Sequence, residues 1–275
     1  MIGTIIGDMV CSGVKPNEGI PENQRLFDGE CRITANTVMF LAVGKSLMEC
    51  AGDYGDLLEK VRENSAVLME SVFGEKAKDM PFSRIACSMP VAYFAKNYKD
   101  VRFLTSKVLS AIPGSTIEEA YAAELEASEA FKYLNCLSAK SFRKAFIPRR
   151  YVFTDKMEKY LSEFDLSFRE TLSFEDAIRR ASATSDPCNM AAIVGGYAEP
   201  YHGVPESFRM KALEIMGPGL GNLFEEIERS ALPKLSTYIP DLTKPAEVHF
   251  MPARFTPIRR EYSRKKREEK RNGQV

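Results

Sequence analysis

The sequence predicts an all-α protein built from many packed helices. Apolar residues recur at helical spacing along most of the 275 residues, and signals that begin or end helices flank those runs. The alternating pattern that is typical of half-buried strands is scarce. Because the hydrophobic share of 44% is that of an ordinary globular protein, we expect one compact multi-helix domain over residues 1–230.

Five helices can be predicted individually, each from an apolar run next to a capping or stop signal. They begin near Val38, Asp56, Ser115, Ser173 and Pro205. The first continues to residue 47 with a glycine stop at residue 52, and the second ends before the glycine at residue 74. The third reaches about residue 137 from a capping-box spacing at residues 115–118, and the fifth reaches about residue 216.

The stretch over residues 231–275 has the composition of an extension rather than of a core. Five prolines punctuate it, and a charged run that is compatible with a helix follows at residues 264–271. The whole chain has 38 basic and 38 acidic side chains, yet residues 254–275 alone carry nine basic and three acidic ones. The body is therefore mildly acidic and the tail is basic.

Composition excludes several classes of protein. No apolar run approaches the roughly 20 residues that span a bilayer, and the N-terminal residues lack the basic region of a signal peptide. We therefore expect a cytoplasmic protein with no membrane partner. The six cysteines form no CxxC pair and are expected to be free thiols, and two histidines are too few for a histidine-rich zinc site.

Four segments, in order along the chain, carry a resemblance to a known family. They are MIGTIIGDMVCS at residues 1–12, ITANTVMFLAV at 33–43, MPVAYFAKN at 89–97, and SFEDAIRRA at 173–181 continuing through AAIVGG at 191–196 to YHGVP at 201–205. They are similar to the opening GDxxGS helix, the TDDTVMTLAV segment, the stretch after the Gly-Asn-Gly loop, and the closing motifs of the ADP-ribosylglycohydrolase (DraG-like) family.

This resemblance implies an all-α hydrolase that binds two Mg²⁺ or Mn²⁺ ions beside ADP-ribose. The metals polarise the ribose and orient an attacking water, and the family supplies aspartates and a threonine from two helix N-termini as the oxygen ligands that hard cations prefer. The resemblance also implies a Gly-Asn-Gly loop that faces the phosphates.

Most of the family's site positions are substituted in this chain. The positions that correspond to metal ligands are Thr34, Ala35, Asn36, Asp186, Cys188 and Asn189. Only Thr34 and Asp186 keep the family residue, and the family's acid falls on Lys15. The phosphate loop falls on residues 81–84, its neighbouring arginine on residue 87, and a histidine-containing turn on residues 110–113, which lack histidine.

The substitutions predict that no catalytic side chain is intact and that no metal cofactor binds. Two Mg²⁺ ions would bring four positive charges to one carboxylate, and Mg²⁺ gives up its water reluctantly without carboxylate ligands. We expect the substituted positions to line a solvent-accessible cleft, so that restored aspartates would stay hydrated.

Several of these residues also have a structural interpretation. Asp186 precedes a proline and can be the N-cap of a helix, Thr34 can cap the helix that begins near residue 36, and Asp8 is expected to anchor a turn or cap. Residues 195–196 (GG) are expected to allow close helix packing, and His202 to be structural. A helix N-terminus lowers a thiol pKa, so Cys188 is weighed as a nucleophile, but no nearby histidine accompanies it and a plain thiol is favoured.

The function predicted from these residues is an inactive member of the family, a pseudoenzyme, with a binding or scaffolding role. Its partner is then an unknown protein or an ADP-ribose-like ligand. One alternative is an active hydrolase of ADP-ribosyl N- or O-glycosidic bonds with a rebuilt site. The other is a nucleic-acid-associated protein that acts through the basic residues 254–275.

Overall fold

The computed structural model describes residues 1–135, 153–168, 171–231 and 249–250. Helices carry nearly all of the regular structure of these residues, which confirms the predicted all-α class. The elements are α1 (Ile2–Val10), α2 (Ala35–Glu49), α3 (Leu57–Phe73), a 3-10 helix (Gly74–Asp79), α4 (Arg84–Cys87), α5 (Val91–Phe94), α6 (Tyr98–Ala111), α7 (Ile117–Leu134), α8 (Asp155–Phe168), α9 (Phe174–Ser182), α10 (Pro187–His202), β1 (Val204–Pro205), α11 (Glu206–Ala231) and β2 (His249–Phe250). Within the described ranges, no helix is both long and apolar enough to cross a membrane.

The predicted starts of several helices are confirmed by their hydrogen bonds. The Thr34 hydroxyl caps α2 by accepting from the backbone N–H of Asn36 at 3.0 Å, and the Ser173 hydroxyl caps α9. The capping box of α7 lies one residue later than predicted. The Thr116 hydroxyl accepts from the N–H of Glu119, and the Glu119 carboxylate accepts from the N–H of Thr116, whereas the Ser115 hydroxyl donates to a preceding carbonyl.

Three helices form the interior of the fold. Every residue of α1 is buried, as are most residues of α2 and α10, and α1 packs along α10. Their backbones approach closely at a pair of glycines. A Cβ added to Gly195 would lie 2.0 Å from the carbonyl oxygen of Gly3, and one added to Gly3 would lie 2.2 Å from the oxygen of Gly195. The predicted packing role of residues 195–196 is therefore confirmed, since no larger side chain fits the crossing.

Element α11 consists of two helices joined at a kink. Pro205 lies in the short strand β1 rather than at the first helical position, and the first helix begins at Glu206. It ends near residue 216 as predicted, because Gly217 has a non-helical backbone with a positive φ of 67°. A second helix, which was not predicted, continues from there to Ala231. Arg209 and Glu228, one from each half, form a largely buried ion pair with N–O distances of 2.6 and 3.1 Å. This pair holds the two halves of α11 side by side.

The predicted extension contributes one described element to the body. Strand β2 pairs antiparallel with β1, with Val204 opposite Phe250 and Pro205 opposite His249. The rest of the stretch after residue 231, including the basic residues 254–275, lies outside the described residues.

Candidate polar site and cleft

The N-termini of α2 and α10 meet beside the C-terminal half of α1. Each of these helices contributes side chains from a different part of the chain. The metal-ligand positions inferred from the family resemblance lie at the N-termini of α2 and α10. The side chains that meet there are Asp8, Thr34, Asn36, Thr37, Cys188 and Asn189. The described fold therefore brings the predicted positions 34–36 and 186–189 together around Asp8.

Asp8 is the centre of this cluster, and its carboxylate is surrounded by donors. The Thr34 hydroxyl lies 2.8 and 2.7 Å from its two oxygens. The Asn36 amide donates to Oδ1 at 3.0 Å and the Cys188 thiol donates to the same oxygen at 2.9 Å. Thr37 donates to Oδ2 from its backbone N–H at 3.1 Å and from its hydroxyl at 2.5 Å. Asp8 thus anchors the first turn of α2, in agreement with its predicted structural role.

A chain of side-chain amides links this buried carboxylate to the protein surface. Asn36 donates from the same nitrogen to Asn189 Oδ1 at 2.8 Å, and Asn189 donates in turn to Asp186 Oδ2 at 2.7 Å. The remaining oxygen of Asn36 accepts from the backbone N–H of Ser83 at 2.7 Å. Asn36 therefore uses both ends of its amide and ties together α1, α2, α10 and the loop before α4.

Burial controls the ionisation of the cluster. Desolvation raises the pKa of the Asp8 carboxyl above its usual value of 3.8, and the hydrogen bonds that it accepts offset only part of this effect. Burial also raises the pKa of the Cys188 thiol, and the adjacent Asp8 raises it further. Burial and the neighbouring carboxylate therefore oppose the lowering that a helix N-terminus would give, and a plain thiol was the favoured interpretation.

These side chains do not fit the divalent cations that the resemblance implies. Asp8 already accepts from donors on both oxygens, the Asn36 oxygen accepts from Ser83, and the Asn189 oxygen accepts from Asn36. An octahedral Mg²⁺ needs oxygen lone pairs that face one point, preferably from carboxylates. Among the described residues, no group of three or more His, Cys, Asp or Glu side chains is placed to hold a metal ion.

The substituted positions were expected to line a solvent-accessible cleft, and two of them are buried instead. Ala35 is fully buried and Asn36 is 4% exposed, while Cys188 and Asn189 are half-buried. The expectation that restored aspartates would stay hydrated is therefore wrong for Ala35 and Asn36. Both lie in the first turn of α2, where the side chains that follow the capping threonine point into the protein.

A cleft of about 730 Å³ opens next to the polar cluster. Asp186 and Asn189 line it at the α10 end, and residues 82–85 line it on the side of α4. The opposite wall is formed by the first turn of α7 and by α8, which contributes Tyr160. Burial raises the pKa of the Tyr160 hydroxyl, and the nearby carboxylate of Asp186 adds to this effect. The cleft therefore combines two aromatic rings, Phe82 and Tyr160, with hydroxyl, amide and charged groups.

Some predicted site residues lie elsewhere or act differently. Lys15 is exposed and pairs with Glu18, three residues along, rather than facing the cluster. Cys87 is fully buried, and burial raises the pKa of its thiol to about 12. Asp186 is the N-cap residue of α10, but its side chain accepts from Asn189 instead of from the helix backbone. His202 lies 2.8 Å from the Thr171 hydroxyl.

Sequence reasoning missed the α7 and α8 side of the cleft. The residues that it did not identify are Thr116, Glu118, Glu119, Thr154, Lys156, Lys159, Tyr160 and Glu163. The capping-box pattern of α7 was the only signal in the sequence for any of them, and it indicated a helix start rather than a cleft. Arg84, which belongs to the predicted loop at 81–84, pairs with Glu119 at 3.2 Å across this cleft.

Comparison with known proteins adds no family assignment: neither a family model nor a curated protein matches this chain.

Proposed function

We propose that this protein is an ADP-ribosylglycohydrolase-fold pseudoenzyme, with a binding or scaffolding role in place of hydrolysis. Four collinear segment resemblances across residues 1–205 support the family. The observation that carries the loss of activity is the closed hydrogen-bond network around Asp8. Its oxygens are occupied by protein donors, so the side chains that would otherwise ligand a metal stabilise one another instead.

The network has a physical consequence for binding of a cation. To reach Asp8, an ion would have to break the thiol, amide and hydroxyl bonds that now satisfy the carboxylate. A buried polar group that loses its partner costs about 1–3 kcal/mol, and several groups would lose partners together. Mg²⁺ already pays a large dehydration cost, so this additional cost opposes its binding.

The open cleft supports the binding role. A concave site with aromatic walls and a few polar groups is the usual form of a small-molecule or peptide site, and Phe82 and Tyr160 provide such walls here. Four carboxylates, at residues 118, 119, 163 and 186, face three cationic side chains at residues 84, 156 and 159. A pyrophosphate gains no net attraction from this lining, so a protein segment is the favoured occupant over an ADP-ribose-like ligand.

The first test is calorimetric titration of the purified protein with Mg²⁺ and with Mn²⁺. We expect no saturable heat at the polar cluster. Stoichiometric binding at micromolar affinity that is lost in Asp186→Ala would contradict the proposal, because Asp186 is the one family carboxylate that remains at these positions. An exposed aspartate elsewhere, Asp53→Ala, is the matched control.

The second test is an assay for hydrolysis of ADP-ribosylated arginine, ADP-ribosylated serine and O-acetyl-ADP-ribose. We expect no turnover above a buffer control, with or without divalent metal. Turnover that disappears in Glu163→Gln or Asp186→Asn, two carboxylates of the cleft, would instead establish the alternative of an active hydrolase with a rebuilt site.

A further inference from the structure

A second cavity, separate from the polar cluster, lies along one face of α3. Its volume is about 1100 Å³, which is larger than that of the cleft. Its floor is apolar, and four of the side chains that line it are almost fully buried: Met39, Met69, Ala111 and Ile112. We call this cavity the α3 groove. Apolar cavities of this size with few polar groups are typical of ligand sites.

At one end of the α3 groove, the geometry of α3 places a cationic side chain and a hydroxyl on the same face of the helix. Arg62, Ser65 and Met69 all line the groove, and their spacing places them on one face of the helix. Arg62 donates from Nε to the Ala111 carbonyl at 3.4 Å, which holds its guanidinium at the end of α6. Among the described residues, its two terminal nitrogens have no partner, so they are available to an anion.

Ser65 provides an independent sign of a missing ligand at the same end. Its hydroxyl oxygen is inaccessible to solvent and has no hydrogen-bond partner among the described residues. A buried hydroxyl without a partner is unusual and costs free energy. Ser65 lies one helical turn from Arg62, so rotation of its side chain about χ1 toward the groove would let the hydroxyl donate to a polar ligand atom held by Arg62.

The other end of the groove has a different charge. Glu70 and Glu75 line it together with Lys78, near the 3-10 helix. From residue 62 to residue 70 the helix rises roughly 12 Å, and the apolar floor with Met69 lies along this distance. A carboxylate head is therefore attracted to the Arg62 end and repelled from the glutamate end, so the charges select both the class and the direction of a ligand.

We propose that the α3 groove binds an amphipathic carboxylate of the fatty-acyl class. The carboxylate pairs with Arg62 and accepts from the Ser65 hydroxyl, and the acyl chain lies on the methionine and isoleucine floor. Methionine side chains suit such a chain, since their flexible thioethers adapt to apolar surfaces of variable shape. This site is independent of the proposed pseudoenzyme role.

The test uses isothermal titration calorimetry with decanoate and, as a neutral probe with the same chain, decanol. Wild-type protein should bind one decanoate saturably. Arg62→Met keeps the aliphatic stem but removes the charge, and it should weaken decanoate binding about tenfold or more while leaving decanol binding unchanged. Arg25→Met, at an exposed position away from the groove, should change neither affinity.

Variants at two further positions, residues 66 and 65, separate binding from folding. Ala66→Trp adds bulk at an exposed position of the groove wall and should abolish binding of both probes; Ala66→Leu replaces it if the tryptophan variant does not fold. Ser65→Ala should lower decanoate affinity several-fold without lowering the melting temperature, because its hydroxyl has no partner to lose. Non-saturable decanoate binding, or an affinity unchanged by Arg62→Met or by filling position 66, would overturn the proposal.

Discussion

The substitution Asn36→Asp tests whether the polar cluster is a closed structural network. It restores a family carboxylate with almost no change in shape, but it replaces an amide donor by an acceptor. Asn36 now donates to Asp8 at 3.0 Å and to Asn189 at 2.8 Å. Both bonds are lost in the variant, whereas the bond from Ser83 to the remaining oxygen is kept.

The expected cost follows from these two bonds and from the new charge. Asn189 Oδ1 is left without its donor, which costs about 1–3 kcal/mol. Asp8 Oδ1 keeps the Thr34 and Cys188 donors, so loss of the amide bond to it costs about 0.5–1.5 kcal/mol. The two losses together cost about 1.5–4.5 kcal/mol. Two carboxylates at hydrogen-bond distance cannot both ionise without a further penalty. At roughly 2–4 °C per kcal/mol for a protein of this size class, the melting temperature should fall by roughly 5–20 °C near neutral pH.

The pH dependence supplies a second, independent readout. Burial and the neighbouring carboxyl raise the folded pKa of the new aspartate above its unfolded value of about 3.9. A carboxyl whose pKa is raised by folding destabilises the folded state as the pH rises above its unfolded pKa, and this loss is absent at lower pH. The difference in melting temperature between variant and wild type should therefore be smaller at about pH 5 than at about pH 7.5, since the protonated carboxyl can again donate to Asp8.

Thermal melts followed by circular dichroism at the two pH values are the assay. Asn23→Asp, at an exposed position with no side-chain partner among the described residues, is the matched control and should shift stability by no more than about 0.5 kcal/mol. If Asn36→Asp melts within about 3 °C of wild type near neutral pH, or if its deficit grows as the pH falls, the network does not have the energetic role argued for it.

Three further predictions concern other parts of the protein. Gly195→Ala should lower the free energy of unfolding in denaturant titration by about 1–3 kcal/mol or more, because its Cβ would lie 2.0 Å from a backbone oxygen. The control Gly219→Ala, which has open space around it, should be neutral or stabilising. Equal effects of the two substitutions would contradict the close crossing of α1 and α10. The Cys188 thiol should react with iodoacetamide more slowly than free cysteine near pH 8, since burial and Asp8 raise its pKa, and a faster rate by mass-spectrometric mapping would contradict this. Removal of residues 254–275 should leave binding to RNA and DNA weak and unchanged, since three glutamates interrupt the basic run; tight, salt-sensitive binding that disappears on truncation would favour the nucleic-acid alternative.

Local sequence patterns predicted those helix ends whose stabilising contacts lie within a few residues. The helix starts at Thr34 and Ser173 follow from the hydroxyl that satisfies a free backbone N–H, and the end of α3 follows from the glycine at residue 74. The predicted capping box of α7 was one residue too early. Ser115 and Thr116 are adjacent and each has a glutamate three residues later, so the sequence offers two capping boxes with the same spacing.

The second helix of α11 depends on information that a local pattern does not contain. The break at Gly217 is local, since a glycine followed by proline is an ordinary helix stop. Beyond it the chain places Glu228 against Arg209, and these residues are 19 positions apart in the sequence. A sequence window around the glycine and proline contains neither partner of this ion pair.

The sequence by itself determined which groups are present at the former ligand positions: no carboxylate at residues 35, 36, 188 or 189, and one at residue 186. The tertiary structure decided what they do. It buried Ala35 and Asn36, brought Asp8 within hydrogen-bond distance of Cys188, and placed α8 across the cleft. Ionisation and hydrogen bonding depend on burial and on partners 28 to 180 residues away, and distance along the chain carries no record of distance in space.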